Sequence, residues 1–346
     1  MGDPLRIGVM GLGRMGLPIA RRLRAEGHVV AGIDLDPTRV AEFGARVTAT
    51  PPAEPASDGC ASEVAGELEV LVTVLPGAAE LGPAMLGDAP PGGSPYRARR
   101  RGDANRVGDG AAGRREHEDL SGGALAALPS GALWIDLTSG DPRVARKLAT
   151  VASEHGVLAV GAPMAGGPAD AEAGTLGFFV GGEPGAVERA LPLLHAIGDP
   201  ARLERAGVDV GAGHVAKLLA NTLWFGQVAA VVEALLIGQA QGIEPEQLAG
   251  ILRRSAGGSA FLDRHLDALL DGDYLETFGI DRVVEELDTV TGLAADAGLP
   301  IALTRLVAAL HHEALERFGP VDGELLVAKL LEEHAGTRIR RPARLG

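Results

Sequence analysis

Up to about Gly211, short apolar runs alternate with stretches of helical periodicity. Strand-like runs fall at Ile7–Met10, Val29–Ile33, Val70–Leu75, Leu133–Leu137, Val157–Val160 and Gly177–Val180, with helical patterns between most of them. That rhythm predicts crossovers in a largely parallel sheet. Beyond Gly211 the pattern changes to apolar residues at helical intervals. It runs through His214–Gln241, Pro245–Arg254, a segment near Val283–Ala297, Ile301–Phe318 and Gly323–His334. This half reads as essentially all-helical. Its first stretch would span about 40 Å as one helix. The expected fold is therefore α/β: a Rossmann-type domain over 1–210, then an all-α domain over 211–336 and a basic tail over 337–346.

Two segments stand outside the rhythm. Residues 87–123 are rich in glycine and poor in core-forming side chains, and the Arg99–Arg101 cluster is answered by acids nearby. They read as a flexible surface insertion. The tail from Thr337 carries four arginines and is expected to fray.

Composition narrows the class without naming the chemistry. A chain of 346 residues is long enough for two domains, and 46% hydrophobic with 23% charged residues is ordinary for a globular protein. Aromatics make up only 3%, so Leu, Val and Ala must build the core. A formal charge of −14 disfavours adhesion to nucleic acid or anionic membranes. Cys60 is the one cysteine, which excludes an intrachain disulfide framework and fits a reducing compartment. The start MGDPLRIGVM enters the first strand directly, and the apolar stretches are interrupted by Lys, Asn, Gln or Glu. No signal peptide or membrane span is expected, and the expected location is cytoplasmic. His311 and His312 are consecutive and lack a partner at ligand spacing, so no metal site is expected.

The most informative local pattern is the loop Gly11-Leu12-Gly13-Arg14-Met15-Gly16 between a strand and a helix. Gly11 permits the tight turn, Gly13 lets the backbone approach a pyrophosphate, and Gly16 brings the helix against the strand. The helix start then faces the negative charge. Asp34, 18 positions after Gly16, ends the second strand. Its carboxylate can accept bonds from both ribose hydroxyls but would repel a 2′-phosphate, so NAD is favoured over NADP. Pro76 and Gly77 end the third strand, placing Leu75 at the carboxyl edge where such sheets bind ligands. In GAGHVAKLLANTL, Lys217 and Asn221 lie one turn apart on one helix face after glycines read as flexible. A lysine in that setting can exchange a proton with a substrate oxygen.

These blocks together resemble the beta-hydroxyacid dehydrogenase family, which includes 3-hydroxyisobutyrate dehydrogenase and, more distantly, 6-phosphogluconate dehydrogenase. The matching segments are GLGRMGLPIA at 11–20, VTVLPG at 72–77, IDLTSGDP at 135–142, GAPMAGGPADAEAGTL at 161–176 and GAGHVAKLLAN at 211–221. The resemblance implies a Rossmann-type domain, a helical domain and a cleft between them, usually in a homodimer or homotetramer. It places the catalytic lysine at Lys217 and its companion asparagine at Asn221. Leu75 and Pro76 take the cofactor-binding turn, Thr138 the hydroxyl near nicotinamide and substrate, and Gly166 and Gly167 the turn that receives a substrate carboxylate. The implied reaction moves a hydride between a nicotinamide cofactor and a hydroxy acid or related alcohol and carbonyl pair.

The chain departs from the family pattern at three places. Ala165 stands where the family has serine, and Gly161 where aspartate is common. The family's C-terminal lysine–aspartate pair falls on Glu285-Glu286 when Phe278 is the anchor. Glu285 would then line the substrate pocket or pair with Lys217, or, if the alignment is a turn out, be solvated. That acidity suits a cationic substrate and keeps an imine reductase open as an alternative, against which Asp34 and Lys217 argue. The second alternative is a non-catalytic interaction module that kept the dehydrogenase fold, against which the retained lysine argues.

Overall fold

The computed structural model describes residues 3–44, 67–87, 123–276 and 278–341. Cys60 and all of the 87–123 insertion except its two end glycines lie outside the described residues. The chain divides into two compact units, Met1–Lys217 and Leu218–Gly346.

The first unit is built on one sheet. Its strands are β1 Arg6–Met10, β2 Val29–Ile33, β3 Val70–Thr73, β4 Leu133–Asp136, β5 Leu158–Gly161, β6 Met164–Ala165, β7 Leu176–Gly182 and β8 Gly198–Gly207. The order is β2-β1-β3-β4-β5-β7-β6, with β8 also pairing β7. The first five strands are parallel, β7 runs antiparallel to β5 and β6, and β8 is parallel to β7.

The near-continuous apolar strands are explained by cover on both faces. Val70, Val72, Leu133 and Ile135 join Ile19, Leu23 and Phe178 in one core. Leu71 and Trp134, pointing the other way, join Met85, Leu125 and Leu148 in a second. Helix Gly16–Ala25 buries Ile19, Ala20 and Leu23, the stripe that its 3.6 period predicts. Helix Pro142–Glu154 starts with Asp141 accepting from the Arg143 N–H and proline in the first turn.

Two strands were not expected. Edge strand β8 is exposed at most positions, so it carries little of the alternation that marks a strand. Strand β6 has only two residues, too few to show a period.

The second unit is helical, with Pro245–Arg253, Ala260–Arg264, Leu266–Asp271, Ile280–Asp296, Ala302–Phe318 and Leu326–Ala335. The short helices Ala260–Arg264 and Leu266–Asp271 escaped the sequence reading for the same reason as β6. Val228, Val232, Leu235, Phe261 and Leu266 form one core, and Phe225, Ile280, Val283, Leu287 and Val307 another.

The long helix Val210–Ala240 carries the chain from one unit into the next. By length and composition it could cross a membrane. Leu218, Phe225, Val228, Val232 and Leu235 on it are buried, while Leu219, Leu223 and Ile237 are exposed.

The expectation of a frayed tail is corrected for 337–341. Ile339 is fully buried, and its N–H donates to Glu332 Oε1 at 2.8 Å. Arg340 pairs with the same carboxylate at 2.8 Å, and Tyr274 donates its hydroxyl to Glu332 Oε2 at 2.6 Å. Arg341 pairs with Asp267 and Asp271. An apolar anchor and satisfied charges outweigh the tail's net basic charge.

Candidate active site

The glycine loop follows β1 directly. Gly11 has φ +95°, and its N–H donates to Ile33 O at 2.7 Å. A Cβ at Gly16 would lie 1.7 Å from Gly11 O, so the helix can approach the strand only without one. At Gly13 the nearest atom to an ideal Cβ is an Arg39 guanidinium nitrogen 3.8 Å away, which leaves that backbone approachable. The helix that follows has no side-chain cap and no acid in its first turn. Leu12 is buried, Arg14 exposed and Met15 half-buried.

Asp34 does more than sequence reasoning assigned to it. Its Oδ2 accepts the Leu12 N–H at 2.7 Å and its Oδ1 the Asp36 N–H at 2.8 Å. Arg39 approaches Oδ2 at 3.4 Å. The carboxylate thus holds the glycine loop in shape and carries a neighbouring cation.

At the carboxyl edge of β3 and β4, the Leu75 N–H donates to Thr138 Oγ1 at 3.2 Å. Pro76 is exposed, while Thr138 is buried. Thr138 is held by Asp136, whose Oδ1 accepts the Thr138 N–H at 3.0 Å and the Thr73 hydroxyl at 2.8 Å. The indole N–H of Trp134 donates to Thr73 Oγ1 at 3.0 Å. His214 Nε2 lies 3.2 Å from Asp136 Oδ2. Burial pushes Asp136 up to about 6 and His214 down to about 4. The sequence reading passed over both groups. An acid closing an apolar strand, with a histidine in the second turn of the lysine helix, was the available signal.

Gly211 and Gly213 are helical, not flexible as the sequence suggested. A Cβ at Gly213 would lie 2.1 Å from Phe179 O, and one at Gly161 would lie 2.3 Å from Val210 O. That close approach is the physical reason for glycine at 161, where the family resemblance led one to expect aspartate.

The turn at Gly166-Gly167 differs from a bare anion-binding loop. Gly166 has φ +127°, and the Gly167 N–H is donated to Asp170 Oδ2 at 2.9 Å. Asp170 is also bonded by Thr175 Oγ1 at 3.1 Å and approached by Arg202 at 3.8 Å.

Lys217 and Asn221 are half-buried and one turn apart on Val210–Ala240. Asn221 Nδ2 donates to Glu286 Oε2 at 2.6 Å, and Glu286 is buried. Glu285 is exposed and pairs with Arg282 at 2.5 Å. Of the acidic pair, the residue at the asparagine is thus Glu286. Helix Ile280–Asp296 turns the two neighbouring residues about 100° apart, so only one can face inward.

Among the described residues no cluster of His, Cys, Asp or Glu could hold a metal ion. His312 is half-buried against Asp288 at 2.8 Å, while His311 is buried with Nδ1–H donating to Val307 O at 2.8 Å.

Comparison with known proteins agrees with this architecture. Residues 6–89 and 110–211 match the family model for the NAD binding domain of 6-phosphogluconate dehydrogenase. Residues 211–331 match that for the NAD-binding of NADP-dependent 3-hydroxyisobutyrate dehydrogenase. The 3-hydroxyisobutyrate dehydrogenase of Pseudomonas aeruginosa is 30% identical over 318 residues, covering 89% of this chain and 92% of that one. The NAD-dependent L-serine dehydrogenase of the same organism is 32% identical over 259 residues, covering 75% and 72%. Among solved structures, Mycobacterium tuberculosis 3-hydroxyisobutyrate dehydrogenase with L-serine superposes with a TM-score of 0.71 at 23% identity. It covers 94% of this chain and 99% of that one, a likeness of fold.

Proposed function

The chain belongs to the 3-hydroxyisobutyrate dehydrogenase-like, 6-phosphogluconate dehydrogenase superfamily of nicotinamide-dependent oxidoreductases, and from that membership we propose an NAD-dependent dehydrogenase or reductase. Its substrate is a small hydroxy acid, or a related alcohol, together with the carbonyl partner. The observation that carries this reading is Lys217, one turn before Asn221, on a helix whose His214 reaches Asp136 at the end of β4, the residue that also holds Thr138 beside Leu75.

The residues fit a dinucleotide. The open backbone at Gly13 and the uncapped first turn of Gly16–Ala25 suit a pyrophosphate, and Asp34 suits a ribose. When bound, that cofactor supplies the hydride to the carbonyl carbon or takes it from the carbinol carbon.

Lys217 handles the proton. As ammonium it protonates the substrate oxygen in reduction, and as free amine it removes the hydroxyl proton in oxidation. Asn221, one of whose amide N–H groups is bonded to Glu286, orients the lysine or the substrate hydroxyl. Thr138 and the Leu75-Pro76 turn place the nicotinamide edge. At Gly166-Gly167 the substrate's distal group meets a turn with one N–H already used by Asp170. Recognition there therefore leans less on an anionic group than the family pattern does.

The test is a panel of small hydroxy acids, alcohols and carbonyls followed by nicotinamide absorbance. On the substrate found, Lys217→Ala should lower turnover by about 10²–10⁴, the range for a positioned acid or base, with NADH affinity nearly unchanged. Lys217→Arg should also be poor, since guanidinium stays protonated. Near-normal turnover in Lys217→Ala would overturn the mechanism.

A further inference from the structure

The helix bearing Lys217 meets the sheet backbone to backbone. Ideal Cβ atoms at Gly161, Gly181 and Gly213 would lie 2.3, 2.4 and 2.1 Å from Val210 O, Asp209 O and Phe179 O. This approach lets His214, three residues before Lys217, reach Asp136 at the end of β4. Both side chains are almost wholly buried. Asp136 in turn bonds Thr73 and the Thr138 N–H, and Thr138 Oγ1 bonds the Leu75 N–H. One polar chain therefore runs from the expected nicotinamide edge to the first turns of the lysine helix.

We propose that Asp136 and His214 form a positioning pair that sets the Lys217 helix at a fixed height against the Thr138–Leu75 edge. The inference rests on the hydride-transfer reading above. Packing alone is a poor account of the pair. His214 Nδ1 is buried with no partner among the described residues, a cost that an apolar side chain of similar shape avoids. Apolar contact is also non-directional, whereas a hydrogen bond specifies where along the strand the helix sits.

The proton's place follows from the surroundings. Burial lowers His214 first, Arg146 lowers it further, and Asp141 and Asp209 act the other way. Arg146 and Asp209 are themselves paired at 2.7 Å. The imidazole is therefore neutral near pH 7.5, with Nε2–H donating to the Asp136 carboxylate and Nδ1 left as a bare lone pair.

The test compares His214→Phe, which keeps a ring but loses the donor, with His214→Gln, whose amide N–H can still reach Asp136. His214→Phe should lower kcat about 10- to 100-fold, the scale of a sub-ångström to 1 Å misplacement. KM and the NADH Kd should stay within about threefold, and His214→Gln should recover most of kcat. Full kcat in His214→Phe, a parallel rise in KM and Kd, or no recovery in His214→Gln would overturn the proposal. Should His214→Phe fail to fold, His214→Leu, smaller and likewise without a donor, carries the same expected kcat loss and is read the same way. Nitrogen-15 NMR of the histidines in the unmodified chain gives an activity-independent arm: His214 should be the neutral Nε2–H tautomer at pH 7.5. A Nδ1–H or doubly protonated ring would overturn it. Full turnover in Lys217→Ala would remove Lys217 as the proton donor, and no nicotinamide turnover on any substrate of the panel would remove the hydride-transfer reading; either leaves the tautomer result intact.

Discussion

Single carboxylates in this molecule carry more than one duty. Asp34 was legible from its place after the glycine loop, but its bonds to the Leu12 and Asp36 N–H groups were not. They depend on how a loop closes in space, which spacing alone does not encode. A 2′-phosphate would have to approach this carboxylate, and Arg39 offsets only part of the repulsion. NADH is therefore expected to bind at least about tenfold more tightly than NADPH, a modest fraction of the unscreened repulsion between like charges. Fluorescence titration of both cofactors checks this, and equal dissociation constants would reject it. Asp34→Ala should weaken both cofactors, because the loop loses its tether. The acidic pair at 285–286 shows the limit of alignment by residue type. Pattern placed Glu285 at the pocket, yet helical phase turns Glu286 toward Asn221 and leaves Glu285 to Arg282.

At the scale of elements, long and strongly periodic segments read well. The glycine-loop helix, Val29–Ile33 and the helices near residues 245, 283 and 302 came within a few residues of their observed bounds. Short or exposed elements did not, because β6 has no period and β8 little alternation. The glycines before Lys217 misled in a specific way: close backbone packing and flexibility call for the same residue. Helix Ala302–Phe318 makes a testable demand on pH. His311 is buried within it, and burial holds the ring down to about 4 against an ordinary 6.5. The folded state thus binds fewer protons than the unfolded chain between these values. Its stabilising contribution is full above pH 6.5 and is lost as pH falls toward 4. His214 acts in the same sense, while Asp136, raised to about 6, acts in the opposite one. Between pH 7 and 5, His311→Phe should therefore lose about 2 kcal/mol less stability than the parent chain. Urea midpoints at the two pH values measure it, and identical slopes for both proteins would sink the assignment.

For the molecule as a whole, the α/β unit followed by a helical one was readable because each has its own hydrophobic period. The second unit's end was misjudged, since charge counted without its partners looked like a loose tail. The segment beginning at 87 reveals itself through its ends: a Cβ at Gly123 would lie 2.2 Å from Gly87 N. Deleting residues 90–120 and joining the ends with a short glycine linker should therefore preserve the circular dichroism of the folded chain and its affinity for NADH. Loss of the folded signal would show that the segment is structural. Adjacent ends also have a meaning for how such a chain can change over time. Loop closure costs grow only logarithmically, about 0.6 kcal/mol per doubling of length, so the fold hardly registers how much chain is carried between these two glycines. New termini, or an entire foreign module, are expected to be admitted between these two glycines while the remainder of the protein keeps its architecture.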